Sequence, residues 1–461
     1  MKPKPRSPSQ KQSTLPARGM MQKKFRVMMM WARTVSSSSV NSMTTPRNRV
    51  RSRDWQKPIT RMTRRTKPDP RRSAHGRFTT GSVDARVAEY VRAMPRTPVA
   101  IIGAGLAGLH ASRLLHAAHV DFVLIEARDR LGGRILTVDQ DGHPADDGFD
   151  LGPSWYWPRM QPAIADLVEE LGLPAFAQRS DGDVLFERMS REGPQRYRGD
   201  AAEPSSFRLV GGTGSLVRAL ARELRPEHVQ LGAQVTATTL LDDGVELTIQ
   251  RANGTVERRT AAHVIAAVPP RLLESMVAFT PAQDASTVRR WRGAPTWMAP
   301  HAKFVACYDR PFWREAGLAG TAQSMVGPMP EIHDATTASG QAALFGFIGL
   351  SADQRSALGE DALIRACLDQ LQRFFGSEAQ RPRATLLKDW TADPLTATAA
   401  DRVATGHVAP DPAPWVSGPW PARLTLAGSE TSPIEPGYLA GAVIAAARAV
   451  DAALRTVFAK G

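Results

Sequence analysis

The sequence has few cysteines and no long apolar run, which argues against a disulfide-bonded scaffold and against a membrane-spanning protein. Cys307 and Cys367 are the only cysteines in 461 residues. We expect them to be small buried hydrophobic residues rather than a disulfide, which suits a reducing compartment such as the cytoplasm. No stretch of about 18 or more apolar residues occurs, so the sequence predicts no transmembrane helix. No His, Cys, Asp or Glu residues have the spacing of a metal site.

Acidic residues are nearly absent from the first 80 positions. Residues 1–80 contain 21 Lys and Arg against 2 Asp and Glu, whereas residues 81–461 contain 38 against 43. The net charge of +14 therefore arises from this segment alone, and its composition predicts a basic disordered arm. Three interpretations stay open: an inert or mis-assigned extension, a polyanion contact, or a targeting segment. Nucleic acid is the disfavoured partner, although a nucleic-acid-associated protein whose basic arm makes the recognition is the non-enzyme alternative.

An apolar run that breaks at glycines and continues as a helical pattern indicates a dinucleotide-binding unit. Gly103 suits a tight turn out of a strand, Gly105 the close approach of a pyrophosphate, and Gly108 the close packing of a helix on the sheet. Glu126 follows at the end of a second apolar run, about 20 residues after the glycines, where a carboxylate accepts hydrogen bonds from a ribose. That carboxylate disfavours a 2′-phosphate.

The residues after Glu126 favour a larger dinucleotide. The segment EARDRLGGR supplies Arg128, a second glycine pair and Arg134. A flavin dinucleotide needs such additional cationic and close-backbone contacts.

This segment resembles the flavin signature of the FAD-dependent amine oxidases, and four further segments match in the same order. The resemblance covers about residues 98–454. The four segments are FDLGPSWYWP (149–158), LVGGTGSLVRAL (209–220), HAKFVACYDRPFWRE (301–315) and LTLAGSETSPIEPGYLAGAVIAAARAV (424–450).

The resemblance implies an α/β fold in which an FAD-binding Rossmann-like domain is interleaved with an α+β substrate domain. We expect the FAD domain to comprise residues 97–160, 206–270 and 420–461, and the substrate domain residues 161–205 and 271–419. Within these, an Asn253-Gly254 hairpin turn is predicted. A helix near Glu360 to Phe375 and an amphipathic helix over Val83 to Met94 are also predicted.

The resemblance also implies FAD as the cofactor. The binding would be non-covalent, because the matching segment lacks the cysteine that anchors flavin in some members. The residues implied to bind FAD are Gly103, Gly105, Ala107, Gly108, Glu126, Ala127, Arg128, Gly133, Arg134, Gly152, Pro153, Ser154, Trp155, Val235, Gly428, Ser429, Glu430, Tyr438 and Leu439.

Three residues are implied to act in catalysis. Lys303 matches the family lysine that holds a water at the flavin N5 and assists oxygen activation; alternation alone predicts a solvent-facing strand residue instead. Tyr438 matches one of two aromatic residues beside the substrate nitrogen, or packs as a core residue. Trp390 matches a tryptophan that precedes the second aromatic residue, but residues 396–401 supply no aromatic side chain.

The implied activity is oxidation of an amine to an imine, which hydrolyses to an aldehyde or ketone, with hydrogen peroxide formed from oxygen. The alternative is a flavin desaturase or dehydrogenase of the same fold that acts on a non-amine substrate. We expect a small-molecule amine as substrate, no membrane partner, and the ability to form a homodimer. Trp155, Tyr156 and Trp157 are either pocket walls or core residues, and Glu331 and His333 either recognise a polar group or lie at the surface.

Overall fold

The computed structural model describes residues 97–189, 191–199, 206–403, 406–407 and 409–458. The predicted basic arm and the predicted helix over residues 83–94 lie outside these ranges. The described residues form nineteen strands: β1 Thr97–Ile102, β2 Phe122–Ile125, β3 Thr137–Val138, β4 Phe149–Asp150, β5 Ala175–Ala177, β6 Asp183–Glu187, β7 Gln195–Tyr197, β8 Phe207–Leu209, β9 Val229–Gln230, β10 Ala233–Leu240, β11 Val245–Arg251, β12 Val256–Ala266, β13 Ala278–Thr280, β14 Ala302–Tyr308, β15 Leu318–Ser324, β16 Glu331–Asp334, β17 Ala342–Ile348, β18 Ala384–Asp389 and β19 Leu424–Leu426.

The same ranges contain nine α-helices and several single 3-10 turns. The helices are α1 Leu106–Ala117, α2 Pro162–Glu170, α3 Gly214–Ala221, α4 Pro270–Met276, α5 Ala285–Gly293, α6 Phe312–Glu315, α7 Ala352–Leu358, α8 Glu360–Phe375 and α9 Leu439–Phe458. The predicted helix near residues 360–375 is confirmed as α8. Helices and strands alternate along much of the chain, so the predicted α/β class is also confirmed.

The first sheet is built around the strand that precedes the glycine turn. Its order is β13-β10-β11-β12-β1-β2-β9, with β19 also paired to β12. β1 runs parallel to both β2 and β12, and apolar residues on both of its faces suit a doubly covered parallel strand. Val99 and Ile101 contact the core that contains α1 and α9, whereas Ala100 and Ile102 face the opposite core.

The predicted hairpin is confirmed in this sheet. β11 and β12 pair antiparallel, from Val245 opposite Ala261 to Gln250 opposite Val256. Gly254 has a φ of +84° at the turn between them, a conformation that glycine adopts without steric cost.

The second sheet has the order β18-β14-β17-β16-β15-β6-β7. Its strand β14 is buried along its whole length, and its two faces meet different partners. Phe304 and Ala306 pack in the core that contains α8, whereas Val305 and Cys307 pack against Val138 of β3 and its neighbours. The face of β14 that carries the odd-numbered residues is therefore turned towards the segment β3–β4.

The division into two domains stays a proposal, and the packing places two segments differently from it. α2, assigned to the substrate domain, buries Ile164, Leu167 and Val168 in the core of α1 and α9, because its apolar residues recur at helical spacing. β13 pairs parallel with β10 in the first sheet. Both segments therefore pack with the dinucleotide-binding half.

The remaining compositional predictions concern cysteines and membranes. Cys307 and Cys367 are free and buried, as predicted. Among the helices that the structure describes, none is sufficiently long and apolar to cross a membrane.

Candidate active site

The glycine turn has the shape that a bound pyrophosphate requires. Gly103 has a φ of +96°, and a Cβ on Gly108 would overlap the carbonyl oxygen of Gly103. Gly105 differs, because a Cβ there would meet no protein atom closer than the Gly132 oxygen at 4.0 Å. Gly103 and Gly108 therefore serve the protein's own turn and packing, whereas the space beside Gly105 is open for a ligand. This cradle at the N-terminus of α1 fits a dinucleotide phosphate.

Glu126 closes the turn from the end of β2. Its Oε2 accepts a hydrogen bond from the Ala104 N–H at 2.7 Å, and its Oε1 accepts one from the Arg128 N–H at 2.8 Å. The Glu126 carbonyl accepts from Ala233 N at 2.8 Å, which joins the end of β2 to the start of β10, the strand that carries Val235. Each carboxylate oxygen keeps a second lone pair for a ribose hydroxyl.

The signature loop packs directly on the glycine turn. Gly132 N donates to Ala104 O at 2.8 Å, and a Cβ on Gly133, whose φ is +58°, would lie 3.3 Å from the Gly105 Cα. Arg130, which the sequence analysis did not single out, donates to Gly133 O at 2.9 Å and so holds the loop. The only sequence signal for it was a second arginine within EARDRLGGR.

The C-terminal motif is joined to this loop by a buried ion pair. Arg134 lies 2.7 Å from Glu430, whose side chain is fully buried, and also donates to Ser429 Oγ at 3.1 Å. β19 ends at Leu426, before Gly428, and α9 begins at Leu439. Residues from both ends of the chain's matched region therefore meet at one place.

Arg128 has protein partners in the segment where the second aromatic residue is missing. It forms a salt bridge with Asp393 at 2.9 Å and donates to Thr396 Oγ1 at 2.9 Å. Both partners come from the segment that follows Trp390, so Arg128 fixes that segment against the flavin signature. A contact between Arg128 and a cofactor phosphate stays a prediction.

Lys303 is a buried cation and not a solvent-facing strand residue. Its side chain is 2% exposed, and its ammonium donates to Ser154 Oγ at 2.6 Å and to Gly152 O at 3.2 Å. The ammonium also lies 4.2 Å from the centroid of the Phe345 ring. Burial lowers the pKa of Lys303 to about 7, an effect that Asp150 opposes and Arg208 reinforces. Lys303 therefore changes charge near neutral pH.

The segment that accepts these hydrogen bonds is fixed at successive residues. Leu151 O accepts from the indole N–H of Trp390 at 3.0 Å, and a Cβ on Gly152 would overlap the Arg134 carbonyl oxygen. Pro153 O accepts from the Thr213 hydroxyl at 2.9 Å. Trp390 thus holds the backbone beside Lys303. Among the described residues, the Trp390 ring makes no contact with the Tyr438 ring.

Tyr438 lies within a cluster of aromatic rings. His407 stacks on it with ring centroids 4.6 Å apart and an interplanar angle of 25°. Trp157 and Trp297 each lie 6.3 Å from Tyr438, and Trp297 lies 4.1 Å from His407. Trp297 was not assigned to this site from the sequence, and His407 was considered only as a point of covalent flavin attachment. Neither lies in a matching motif, and only the fold brings them to Tyr438.

Of the other predicted pocket residues, Trp155 and His333 contact Phe345, whose ring faces the Lys303 ammonium, whereas Tyr156 is buried in the core that contains α1 and α9. Trp155 lies 5.3 Å from Phe345 and 4.8 Å from His333, and its indole N–H donates to Gln178 at 2.7 Å. His333 is half-buried and its Nε2 lies 3.6 Å from Glu331. The neighbouring imidazole of His333 lowers the pKa of the Glu331 carboxyl. Both residues lie at the margin of the site rather than fully at the surface.

The fold and this site fit an oxidoreductase in which an open glycine turn, a buried lysine and an aromatic cluster belong to one compact unit. The profile of the flavin containing amine oxidoreductases matches residues 106–208 and 186–454. The chain belongs to this family, and it is therefore a flavoprotein and an amine-oxidising enzyme by family.

Two curated relatives match this chain over most of their own length. The chain is 24% identical over 450 residues to the probable flavin-containing monoamine oxidase A of Dictyostelium discoideum, covering 75% of this chain and 94% of the relative. It is 24% identical over 453 residues to the L-amino acid dehydrogenase of a Synechocystis strain, covering 74% of this chain and 92% of the relative.

A solved structure has the same fold. A triple mutant of putrescine oxidase, made in a structure-based redesign of cofactor binding, matches with a TM-score of 0.65 at 22% identity. The match covers 78% of this chain and 99% of that chain. The architecture is thus that of a known flavoenzyme fold.

Proposed function

We propose that this chain binds FAD without a covalent bond and oxidises an amine to an imine, with oxygen reduced to hydrogen peroxide. The observation that carries the proposal is the burial of Lys303 against the segment 152–154, which packs on the flavin-signature loop at Arg134. In balanced form, an amine with an α C–H and an N–H combines with oxygen to form an imine and hydrogen peroxide. Water then hydrolyses the imine to a carbonyl compound and an amine or ammonia.

FAD, when bound, supplies the two-electron acceptor for the amine C–H and returns these electrons to oxygen. Gly105 and Glu126 would hold its pyrophosphate and ribose, and the residues around Gly428 would hold the flavin ring. The protein's part in the reaction is to place the amine, exclude water and hold charge beside the reacting atoms.

Lys303 would hold the positive charge of the site. A preorganised cation in a water-excluded site stabilises negative charge as it develops on oxygen during electron transfer. The Ser154 hydroxyl and Gly152 carbonyl fix the ammonium by two hydrogen bonds, and three donors are available on it. One N–H therefore remains to hold a water or to face the oxygen.

Tyr438, Trp297 and Trp157 would form the walls of the amine site. Their ring faces carry negative electrostatic potential, which favours an amine nitrogen and its bound hydrogens. Trp297 and His407 also lie beside Tyr438, and in this proposal their rings complete the aromatic wall from a different part of the chain. Burial raises the pKa of the Tyr438 hydroxyl, which keeps that wall neutral.

The test is a panel of primary, secondary and polyamines with detection of peroxide, in the presence and absence of catalase. We expect peroxide and a carbonyl product in equal amounts for at least one amine, with anaerobic bleaching of the flavin by the same amine. A purified flavin-bound protein that no amine bleaches would contradict the proposal.

A dehydrogenase that passes electrons to an acceptor other than oxygen is the second candidate. It is favoured by the named dehydrogenase among the relatives. Amine-dependent bleaching without peroxide, together with turnover on an artificial acceptor, would support this candidate over the oxidase.

A further inference from the structure

Three charged side chains are buried close to the segment 152–154 without an ion pair between them. Lys303 is 2% exposed, Asp150 is 3% exposed and Arg208 is 4% exposed. Within the described residues, none of the three has an oppositely charged group within 4 Å. Buried charges without partners are costly, so this arrangement requires a compensating role.

The two oxygens of Asp150 have different environments. Oδ1 lies 2.6 Å from the Thr137 hydroxyl, and 2.9 Å from both the backbone N–H and the hydroxyl of Thr213. Oδ2 is buried and no donor among the described residues reaches it. Oδ1 therefore anchors Thr137 and Thr213 by hydrogen bonds, while Oδ2 carries negative charge without a hydrogen bond from any described residue.

The bonded oxygen of Asp150 is connected to Lys303 through a short chain of contacts. The Thr213 hydroxyl, 2.9 Å from Asp150 Oδ1, also lies 2.9 Å from Pro153 O. Pro153 lies between Gly152 and Ser154, the two residues that accept hydrogen bonds from the Lys303 ammonium. The position of both acceptors thus depends on Asp150.

Arg208 is a buried cation held by neutral groups. Its guanidinium donates to the carbonyls of Thr336 at 2.9 Å and Ala335 at 3.1 Å. The guanidinium Cζ lies 5.3 Å from the centroid of the Phe176 ring. Its Nε has no acceptor among the described residues. Arg208 therefore keeps its full positive charge near Lys303, where it disfavours a second cation.

The other titratable groups on the face of Lys303 have partners or are neutral. Lys388, opposite Lys303 on β18, lies 3.2 Å from Asp393. Glu331 and His333 on β16 pair with each other, and Asp334 pairs with Arg314 at 2.7 Å. Burial raises the pKa of the Cys307 thiol to about 12, so it is neutral. Among the described residues, Asp150 is thus the buried carboxylate on this side of the site that has no cation within 4 Å.

We propose that Asp150 is the positioning residue of Lys303: it fixes the two acceptors of the ammonium and supplies the negative charge that keeps the ammonium protonated, while Arg208 opposes it. The importance of this charge balance rests on the proposed function, in which Lys303 acts as a cation. The placement of the three charges themselves does not depend on that function.

The test compares two variants whose effects must have opposite signs. Asp150→Asn keeps an oxygen acceptor for Thr137 and Thr213 and removes the charge, so the midpoint of Lys303 titration should fall by about 1 pH unit or more. Arg208→Gln keeps donors for the two carbonyls and removes the opposing charge, so the midpoint should rise. The double variant should return towards the wild-type midpoint.

The titration is read by NMR on the flavin-bound protein with lysine labelled by ¹³C at Cε. The chain has ten lysines, and the Lys303 signal is the one lost in Lys303→Met. Asp146→Asn is the matched control, because the Asp146 side chain is 93% exposed and removing its charge should leave the midpoint unchanged.

Shifts of opposite sign support the proposal, whereas an unchanged midpoint in Asp150→Asn or shifts of the same sign in both variants overturn it. Should Asp150→Asn fail to fold, Arg208→Gln alone decides: a rise supports the charge balance and no rise overturns it.

A second readout uses oxygen and photoreduced flavin without any amine. The pH at which reoxidation slows should move down in Asp150→Asn and up in Arg208→Gln, in step with the NMR midpoints. Because no substrate is present, failure of the amine panel would overturn the proposed function and leave this result standing. NMR shifts without a matching change in reoxidation would overturn the link to oxygen.

Discussion

The ammonium of Lys303 lies 2.6 Å from the hydroxyl of Ser154, and this contact joins the second sheet to the segment that follows β4. Lys303 comes from the middle of a strand that is buried throughout, whereas Ser154 follows the stretch packed on the flavin signature. A charge that is fixed in this way and removed from water has a strong effect on reacting groups.

Removal of the Lys303 charge should affect reoxidation of the flavin more than its reduction. In Lys303→Met we expect reoxidation by oxygen to slow by about 10²-fold, the scale of losing one preorganised electrostatic group. Anaerobic reduction by the amine should change much less. Stopped-flow absorbance separates the two half-reactions, and slowed reduction with normal reoxidation would assign Lys303 to substrate binding instead.

The rate of reoxidation should also depend on pH through Lys303. Because burial lowers its pKa to about 7, the ammonium is charged below that pH and neutral above it. Reoxidation should therefore be fast at low pH and fall as the pH rises through about 7. Lys303→Met should abolish this dependence, and a pH profile that persists in the variant would exclude Lys303 as its cause.

The glycine turn offers a matched pair of substitutions. Gly105→Ala adds a methyl group to open space, so we expect a folded protein with reduced flavin content. Gly108→Ala places the same methyl group against the Gly103 carbonyl, so we expect a lowered melting temperature with or without flavin. Flavin absorbance per protein and thermal unfolding distinguish the two. Normal flavin content in Gly105→Ala would contradict the cradle.

FAD should be released intact on acid precipitation, since binding is expected to be non-covalent. Glu126→Lys should abolish retention, because it replaces an acceptor of ribose and backbone N–H groups with a cation. Chromatography of the supernatant measures the released cofactor. Flavin that remains in the denatured pellet would identify a covalent bond.

The aromatic wall can be tested at Trp297. Its ring lies 6.3 Å from Tyr438, so Trp297→Ala should raise KM for the amine about tenfold, the scale of one lost aromatic contact with a cation or amine. Trp297→Phe keeps a ring and is the control, with a smaller rise. Equal KM values in all three proteins would remove Trp297 from the substrate site.

Deletion of residues 1–80 should leave flavin content and turnover nearly unchanged, because the composition of this segment predicts no core contribution. The isoelectric point should shift from basic to mildly acidic, as the charge count requires. A large loss of folded, flavin-bound protein would show that the segment contributes to the fold.

The cofactor half of the site could be predicted from short stretches of sequence. Gly103, Gly105, Gly108 and Glu126 lie within one strand–turn–helix–strand unit, where local spacing determines which backbone atoms face a ligand. The hairpin at Gly254 and helix α8 are also local patterns, and both formed where their turn residues and apolar spacing predicted them.

The surroundings of Lys303 and Tyr438 were decided by tertiary structure. Alternation along β14 favoured a wet face for Lys303, and only the packing of β3 and β4 on that face makes it a buried cation. Trp297 and His407 reach Tyr438, and Arg208 comes near Asp150, from segments far apart in the chain. Sequence alone determined the glycine turn that we propose holds a dinucleotide, because that turn is local. The charge and the walls of the reacting site arise where distant strands meet, and no local spacing encodes such a meeting.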